Sequence, residues 1–145
     1  MKARPAAIYV DASVILRLLF GTPGPRAPLT SAIATSSQLV EVETFRSLES
    51  VRLAGELTDL ELARKHRELT GLLARLHLFP VADEVLERAR SPFPLPVRVL
   101  HALHVATALQ VLAEADSLEF WTHDEAHAAA AITAGLEVKG VTNES

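Results

Sequence analysis

The alternation of hydrophobic and polar residues along the chain predicts strands that alternate with helices. A short apolar strand over 8–10 is followed by a helix from Ser13, whose apolar residues recur at helical spacing. Further strands are predicted over 36–42, 76–81, 118–122 and 136–138, and further helices over 29–34, 43–57, 59–75, 83–89, 97–113 and 124–134. Such alternation is typical of a parallel sheet with helices on both faces. We therefore expect an α/β fold with a central parallel sheet of four to five strands.

The length of the chain favours one domain. At 145 residues it can bury one substantial core and is too short for two ordinary domains. The sequence shows no internal repeat and no low-complexity segment, and the proline-rich loop at 92–96 is too short to separate domains. A single domain over 1–145 is predicted.

Composition narrows the classes of function. The 14 Lys and Arg against 18 Asp and Glu give a net charge of −4, which argues against a broad basic surface for nucleic acid. This net charge does not exclude a nucleic-acid enzyme whose site is a carboxylate cluster filled by a metal ion. The chain has no cysteine, so disulfides and thiolate metal sites are excluded. No apolar run approaches the roughly 18 residues of a membrane span, and Asp11 and Arg17 interrupt the only stretch resembling a signal peptide. A cytoplasmic protein is expected.

Acidic residues recur near the predicted ends of three strands. Asp11 follows the first strand, Glu43 stands at the junction of the predicted second strand and its helix, and Asp124 follows the fourth strand. Glu41 shares the predicted side of Glu43, so spacing leaves both open. Each carboxylate could instead cap a helix, or be stabilised in the first turn of a helix by the helix dipole. Because parallel strands end at one edge of a sheet, we expect a cluster in which Mg²⁺ or Mn²⁺ offsets the repulsion and activates water against a phosphodiester.

Histidines suggest a second kind of site. His101 and His104 stand three positions apart on one predicted helix, a spacing that could bind Zn²⁺. More often such a pair is one buried, hydrogen-bonded histidine and one partly exposed histidine. His123 and His127 do not match the zinc-protease helix, because no Glu directly follows the first histidine. A zinc hydrolase using all four histidines is a third hypothesis, which stoichiometric zinc would support.

Four segments resemble the PIN-domain family, in particular the VapC-type toxins of bacterial toxin–antitoxin pairs. Tyr-Val-Asp-Ala-Ser at 9–13 is similar to the opening Asp-x-Ser motif, and Val-Glu-Thr-Phe-Arg at 42–46 to the Glu-x-x-Arg helix start. Leu-His-Ala-Leu-His-Val-Ala-Thr-Ala at 100–108 is similar to the family's Leu-Asp-Ala-Leu-His-Leu-Ala-Thr-Ala, and Thr-His-Asp at 122–124 to its Thr-x-Asp block. The resemblance covers essentially the whole chain, implies a three-layer α/β/α PIN-like fold, and favours Glu43 over Glu41.

The resemblance also implies an activity and partners. The implied reaction is cleavage of RNA by water activated on Mg²⁺ or Mn²⁺. The implied metal and catalytic residues are Asp11, Glu43, His101 and Asp124. Ser13 and Thr122 would be supporting hydroxyls, Arg17 and Arg46 could contact RNA phosphate, and His104 would be structural. A homodimer and a small VapB-like antitoxin over the acidic groove are implied as well.

One position departs from the family pattern. His101 replaces the acidic residue of the third motif, which is normally one of four that build the metal site. It could still ligate, since imidazole suits Mn²⁺ or Zn²⁺ better than Mg²⁺. It could leave a weakened site, the interpretation we favour, or it could inactivate the protein. A catalytically weakened or silent PIN-fold module that binds its antitoxin or RNA is therefore the alternative to a working nuclease.

Overall fold

The structure, a computed structural model, describes residues 6–141, and over this range the chain forms five strands and six helices. They are, in order, β1 (Ala6–Val10), α1 (Ala12–Phe20), β2 (Ile33–Ser37), α2 (Leu39–Leu53), α3 (Asp59–Leu73), β3 (His77–Phe79), α4 (Asp83–Arg90), α5 (Val99–Ala113), β4 (Ser117–Trp121), α6 (Glu125–Thr133) and β5 (Glu137–Lys139). The sheet order is β3-β2-β1-β4-β5, and every neighbouring pair is parallel. The predicted α/β fold with a central parallel sheet is confirmed.

The central strand β1 contributes to a core on each face of the sheet. Ile8 and Val10 belong to one buried cluster with α1, α2 and α3, while Ala7 and Tyr9 belong to another with α5 and α6. This alternation follows from the period of two along a strand, which sends successive side chains to opposite faces. Helices therefore cover both faces, and the three-layer arrangement is confirmed.

The second strand lies earlier in the chain than predicted. The pattern indicated a strand over 36–42, but β2 ends at Ser37 and α2 begins at Leu39. The helix buries Val40, Thr44 and Leu48, which recur every four residues. The strand itself is polar and buried, because its hydroxyls bond to the neighbouring backbone: Thr35 Oγ1 donates to the Ile8 carbonyl at 2.8 Å. Apolar runs do not reveal such a strand.

The predicted helix over 29–34 is also wrong, because a turn occupies residues 29–31 and β2 begins at Ile33. The remaining predicted elements are present with shifted ends. At the start of α3, Thr58 and Glu61 form a reciprocal capping box that satisfies free backbone N–H groups. Within residues 6–141, no helix has both the length and the apolar character needed to cross a membrane.

Candidate active site

Asp11 lies at the centre of a hydrogen-bond network at the carboxyl end of β1. Its Oδ1 accepts hydrogen bonds from Ser13 Oγ at 2.5 Å and from the Val14 backbone N–H at 3.3 Å. Its Oδ2 accepts from Thr122 Oγ1 at 2.5 Å and from His127 Nδ1 at 2.8 Å. Asp11 therefore caps α1 and is also bonded to Thr122, directly after β4, and to His127 on α6; the residue is only 4% exposed.

The network keeps Asp11 ionised despite its burial. Burial by itself would raise the pKa of this carboxyl, but the hydrogen bond and charge of His127 oppose it, together with the hydrogen bonds from Ser13 and Thr122. The result is a pKa for Asp11 below its usual value. A negative charge is thus held at a fixed place at the sheet edge.

Glu43 reaches the same region from inside α2 rather than from a strand end. The helix begins four residues before Glu43, so the predicted position at a strand-to-helix junction is wrong. Residues two apart on a helix point in different directions, which separates Glu41 from Glu43: Glu41 is exposed, and Glu43 Oε1 lies 2.5 Å from His104 Nε2. Buried His104 is held on its other side by the Tyr9 hydroxyl, 2.6 Å from Nδ1. The imidazole thus anchors Glu43 to β1.

Three further side chains complete the site. Asp124 caps α6 through Oδ1, which accepts from the backbone N–H groups of Ala126 and His127. Asp124 Oδ2 lies 3.6 Å from His101 Nε2. The pKa of His101 lies below its usual value, because burial disfavours the charged ring and His127 adds repulsion. The rings of His101 and His127 also stack on each other, with their centroids 4.1 Å apart.

The three predicted carboxylates and the two histidines of α5 line one cavity of about 180 Å³. Its walls are formed by Asp11, Ala12, Ser13, Leu16, Glu43, His101, His104, Asp124 and His127. A wider cleft adjoins it through Ser13, Leu16 and Asp124, and Arg17 and His123 line that cleft. Arg46 is exposed on α2 and is not among the residues that line either cavity. The structure thus places Arg17, but not Arg46, beside the site.

Two residues of this site escaped the sequence analysis. Tyr9 is fully buried with its hydroxyl bonded to His104, and burial holds the pKa of its phenol well above the usual value. The tyrosine two residues before Asp11, in an apolar strand, could have indicated a buried polar contact, because a buried tyrosine hydroxyl requires a hydrogen-bond partner. His127 was named only in the zinc hypothesis, although it follows Asp124 by one helical turn.

The carboxylate oxygens and imidazole nitrogens of the cavity are of the chemical type that binds divalent ions, but they are not close enough together to form a metal site in this arrangement. Asp11 already accepts four hydrogen bonds, close to the full capacity of a carboxylate. Glu43 Oε2 and Asp124 Oδ2 make no hydrogen bond to the described residues, and His127 Nε2 is buried without a partner there. Across residues 6–141, no three His, Asp or Glu side chains are grouped closely enough to hold a metal ion as they stand.

Comparison with known proteins assigns this arrangement to a family. The sequence model of the PIN domain matches residues 8–138. The chain belongs to the PIN-domain family. This PIN-domain chain is 33% identical over 141 residues to ribonuclease VapC46 of Mycobacterium tuberculosis (strain ATCC 25618 / H37Rv), a match that covers 92% of the chain and 96% of that protein. The resemblance to VapC-type PIN domains that the sequence motifs indicated is thereby confirmed.

A solved structure supports the fold of this PIN domain. It is a chain of a toxin–antitoxin complex from Klebsiella pneumoniae, and it matches with a TM-score of 0.54 at 14% identity. The match covers 91% of this chain and 95% of that chain. At this low identity the likeness shows the shared fold alone.

Proposed function

We propose that this PIN-domain chain, acting as one domain over 1–145, is an endoribonuclease toxin of VapC type. The observation that carries the proposal is the meeting of Asp11, Glu43 and Asp124 from three separate elements at one cavity. The relative named as a VapC ribonuclease supports the same activity, and the solved toxin–antitoxin complex is consistent with it through the fold. RNA is the proposed substrate, and its phosphodiester is the bond to be cleaved.

The side chains of the cavity suit this reaction in distinct ways. Asp11 is held ionised by Ser13, Thr122 and His127 and presents fixed negative charge. Glu43 is oriented by His104, which leaves Oε2 free to accept a proton from water. Arg17 lines the adjoining cleft, where it would contact an RNA phosphate. Arg46 could do so only for RNA that extends along α2.

A divalent ion is part of the proposal. Mg²⁺ or Mn²⁺ would be held by residues among Asp11, Glu43, His101 and Asp124, and when bound it would supply an activated water and charge neutralisation at the phosphate. We also propose a VapB-like antitoxin as partner, a homodimer as the assembly, and the cytoplasm as the location. A carboxylate-rich cavity offers an antitoxin a site for a basic side chain.

The test is RNA cleavage by the purified full chain with Mn²⁺ or Mg²⁺. Asp124→Asn keeps an acceptor for the α6 cap and removes one charge, so we expect cleavage to fall by about 100-fold, in the range for loss of a positioned catalytic group. Asp83→Asn, at an exposed position at the start of α4, is the matched control and should cleave normally. Equal cleavage by both variants would contradict the assignment of this cavity.

A silent binding module is the second candidate, and His101 is the observation that favours it. An imidazole stands where the family motif has an acidic residue, and it stacks on His127 instead of adding negative charge. Under this hypothesis the chain binds RNA or antitoxin without cutting. Metal-dependent cleavage by the unaltered sequence, lost in Asp124→Asn, would exclude it.

A further inference from the structure

His127 carries a buried nitrogen that the hydrogen-bond network does not use. The residue is 1% exposed, and its Nδ1 lies 2.8 Å from Asp11 Oδ2. Because an ionised carboxylate only accepts hydrogen bonds, Nδ1 carries a proton, and binding of a metal ion would require the neutral ring, whose lone pair is on Nε2. This Nε2 has no partner among residues 6–141. A buried polar atom without a partner is uncommon, and a missing ion or water is one of its ordinary explanations.

The contact between Asp11 and His127 has the form seen around metal-bound histidines. A ligating histidine usually donates its second N–H to a carboxylate, which fixes the tautomer and the ring orientation and makes the ligating nitrogen more basic. Asp11 does this for His127, and Ser13 and Thr122 hold Asp11 in turn. In this arrangement Asp11 would act on the ion indirectly, by orienting His127. This agrees with the four hydrogen bonds that Asp11 already accepts.

We propose that His127 is a metal ligand through Nε2 in the active cavity, and that the ion taken there is a transition ion such as Mn²⁺ or Zn²⁺ rather than Mg²⁺. This inference rests on the proposed function, because it concerns the same cavity. Imidazole nitrogen binds transition ions well, whereas Mg²⁺ prefers oxygen ligands and retains its waters. His101 stands where the family motif has an acidic residue, so it adds a second imidazole in place of a carboxylate and favours transition ions further.

The neighbouring groups are able to close around such an ion. His127 is fixed by burial, whereas the side chains of His101, Glu43 and Asp124 are 19%, 21% and 45% exposed. The rings of His101 and His127 lie within 8° of parallel, so they do not both point at one ion in this arrangement. Binding therefore requires His101, Asp124 Oδ2 or Glu43 Oε2 to turn toward Nε2 of His127. His127 would then be the buried ligand, and the partly exposed side chains would supply the others.

The deciding experiment measures metal binding without RNA. The full chain is titrated calorimetrically with Mn²⁺, Zn²⁺ and Mg²⁺, each alone, and the Mn²⁺ complex is examined by pulsed electron paramagnetic resonance for coupling to imidazole nitrogen. His127→Asn is the main variant, because the Asn amide can still donate to Asp11 while the coordinating nitrogen is gone. His127→Ala removes both functions, and His77→Asn, at an exposed position on β3, is the matched control.

We expect Mn²⁺ and Zn²⁺ to bind more tightly than Mg²⁺ to the unaltered chain, with an imidazole nitrogen signal for Mn²⁺. Both His127 variants should weaken Mn²⁺ binding by about tenfold or more and lose that signal, while His77→Asn changes neither. Unchanged Mn²⁺ binding by His127→Ala would overturn the inference, because His127 would then not be a ligand. Tighter binding would overturn it too, because His127 would then compete with the ion for Asp11. The absence of imidazole coupling in the unaltered chain would overturn it as well. None of these results touches the ribonuclease proposal, which is decided by RNA cleavage.

Discussion

The imidazole rings of His101 and His127 stack 4.1 Å apart and within 8° of parallel, which joins α5 to α6 in the lining of the candidate active cavity. His101 also lies beside Asp124, with 3.6 Å between its Nε2 and the Asp124 Oδ2. The side chain at position 101 therefore faces both a carboxylate and an imidazole.

Introducing an acidic residue at this position should raise the affinity of the cavity for Mg²⁺ relative to transition ions. In His101→Asp we expect Mg²⁺ affinity to rise by about tenfold or more, because an added charge ~4 Å from a cation attracts it by several kcal/mol at the effective dielectric of a protein surface. RNA cleavage in Mg²⁺ should rise in parallel. Calorimetric titration and a cleavage assay measure the two effects.

His77→Asp is the control for this change, since it adds the same charge at an exposed position on β3. It should leave Mg²⁺ affinity unaltered. Equal Mg²⁺ affinity in His101→Asp and the unaltered chain would mean that position 101 does not control the ion.

Tyr9 should stabilise both the fold and the orientation of Glu43. Removing its hydroxyl in Tyr9→Phe leaves His104 Nδ1 buried without a partner, since the two atoms are 2.6 Å apart. We expect a loss of about 1–3 kcal/mol in the free energy of unfolding, together with reduced RNA cleavage. Urea unfolding measures the first effect, and an unaltered unfolding midpoint would show that His104 finds another partner.

Because of Asp11, the free energy of unfolding should depend on pH in the acidic range. The pKa of Asp11 in the folded protein is below its usual value, chiefly because His127, Ser13 and Thr122 outweigh the opposing effect of burial. The unfolded chain therefore takes up the proton first as pH falls. The stabilisation is complete above the unfolded pKa of about 3.9 and is lost as pH falls through the folded pKa.

Comparison with Asp11→Asn isolates this contribution. We expect the variant to be less stable than the unaltered chain at neutral pH, and the difference in unfolding free energy to narrow as pH falls below about 4. Urea unfolding across a pH series provides the measurement. A difference that stays constant with pH would contradict the lowered pKa of Asp11.

Gly140 should be required for the position of Thr122. Its φ of +98° is rare for other residues, and an added Cβ would lie 2.5 Å from the Thr122 carbonyl oxygen. Gly140→Ala should cost more than the roughly 1–2 kcal/mol of a left-handed backbone alone and should lower cleavage, because Thr122 donates to Asp11. Gly55→Ala, with φ +72° and open space around the Cβ, measures the backbone cost by itself. Equal destabilisation by both substitutions would show that the Thr122 segment adapts.

Strand and helix patterns were sufficient to predict the fold where hydrophobicity follows burial. The strand that delivers Asp11 and the helix that carries His104 both have apolar faces, and both were located to within a few residues. The pattern was misleading at β2, where buried Thr35 and Ser36 satisfy their hydroxyls on neighbouring carbonyls. The same error placed Glu43 at a strand end instead of inside α2.

The sequence by itself determined the α/β class, the parallel sheet, the family and the acidic residues of the candidate site, because these depend on local periodicity and on short motifs. Only the tertiary structure decided how those residues are used. It joined Asp11 to His127, Glu43 to His104, and His101 to the His127 ring, across separations that no local spacing encodes. These pairings arise because the parallel sheet and the helices packed on it bring distant segments to one edge, where burial requires each polar group to find a partner.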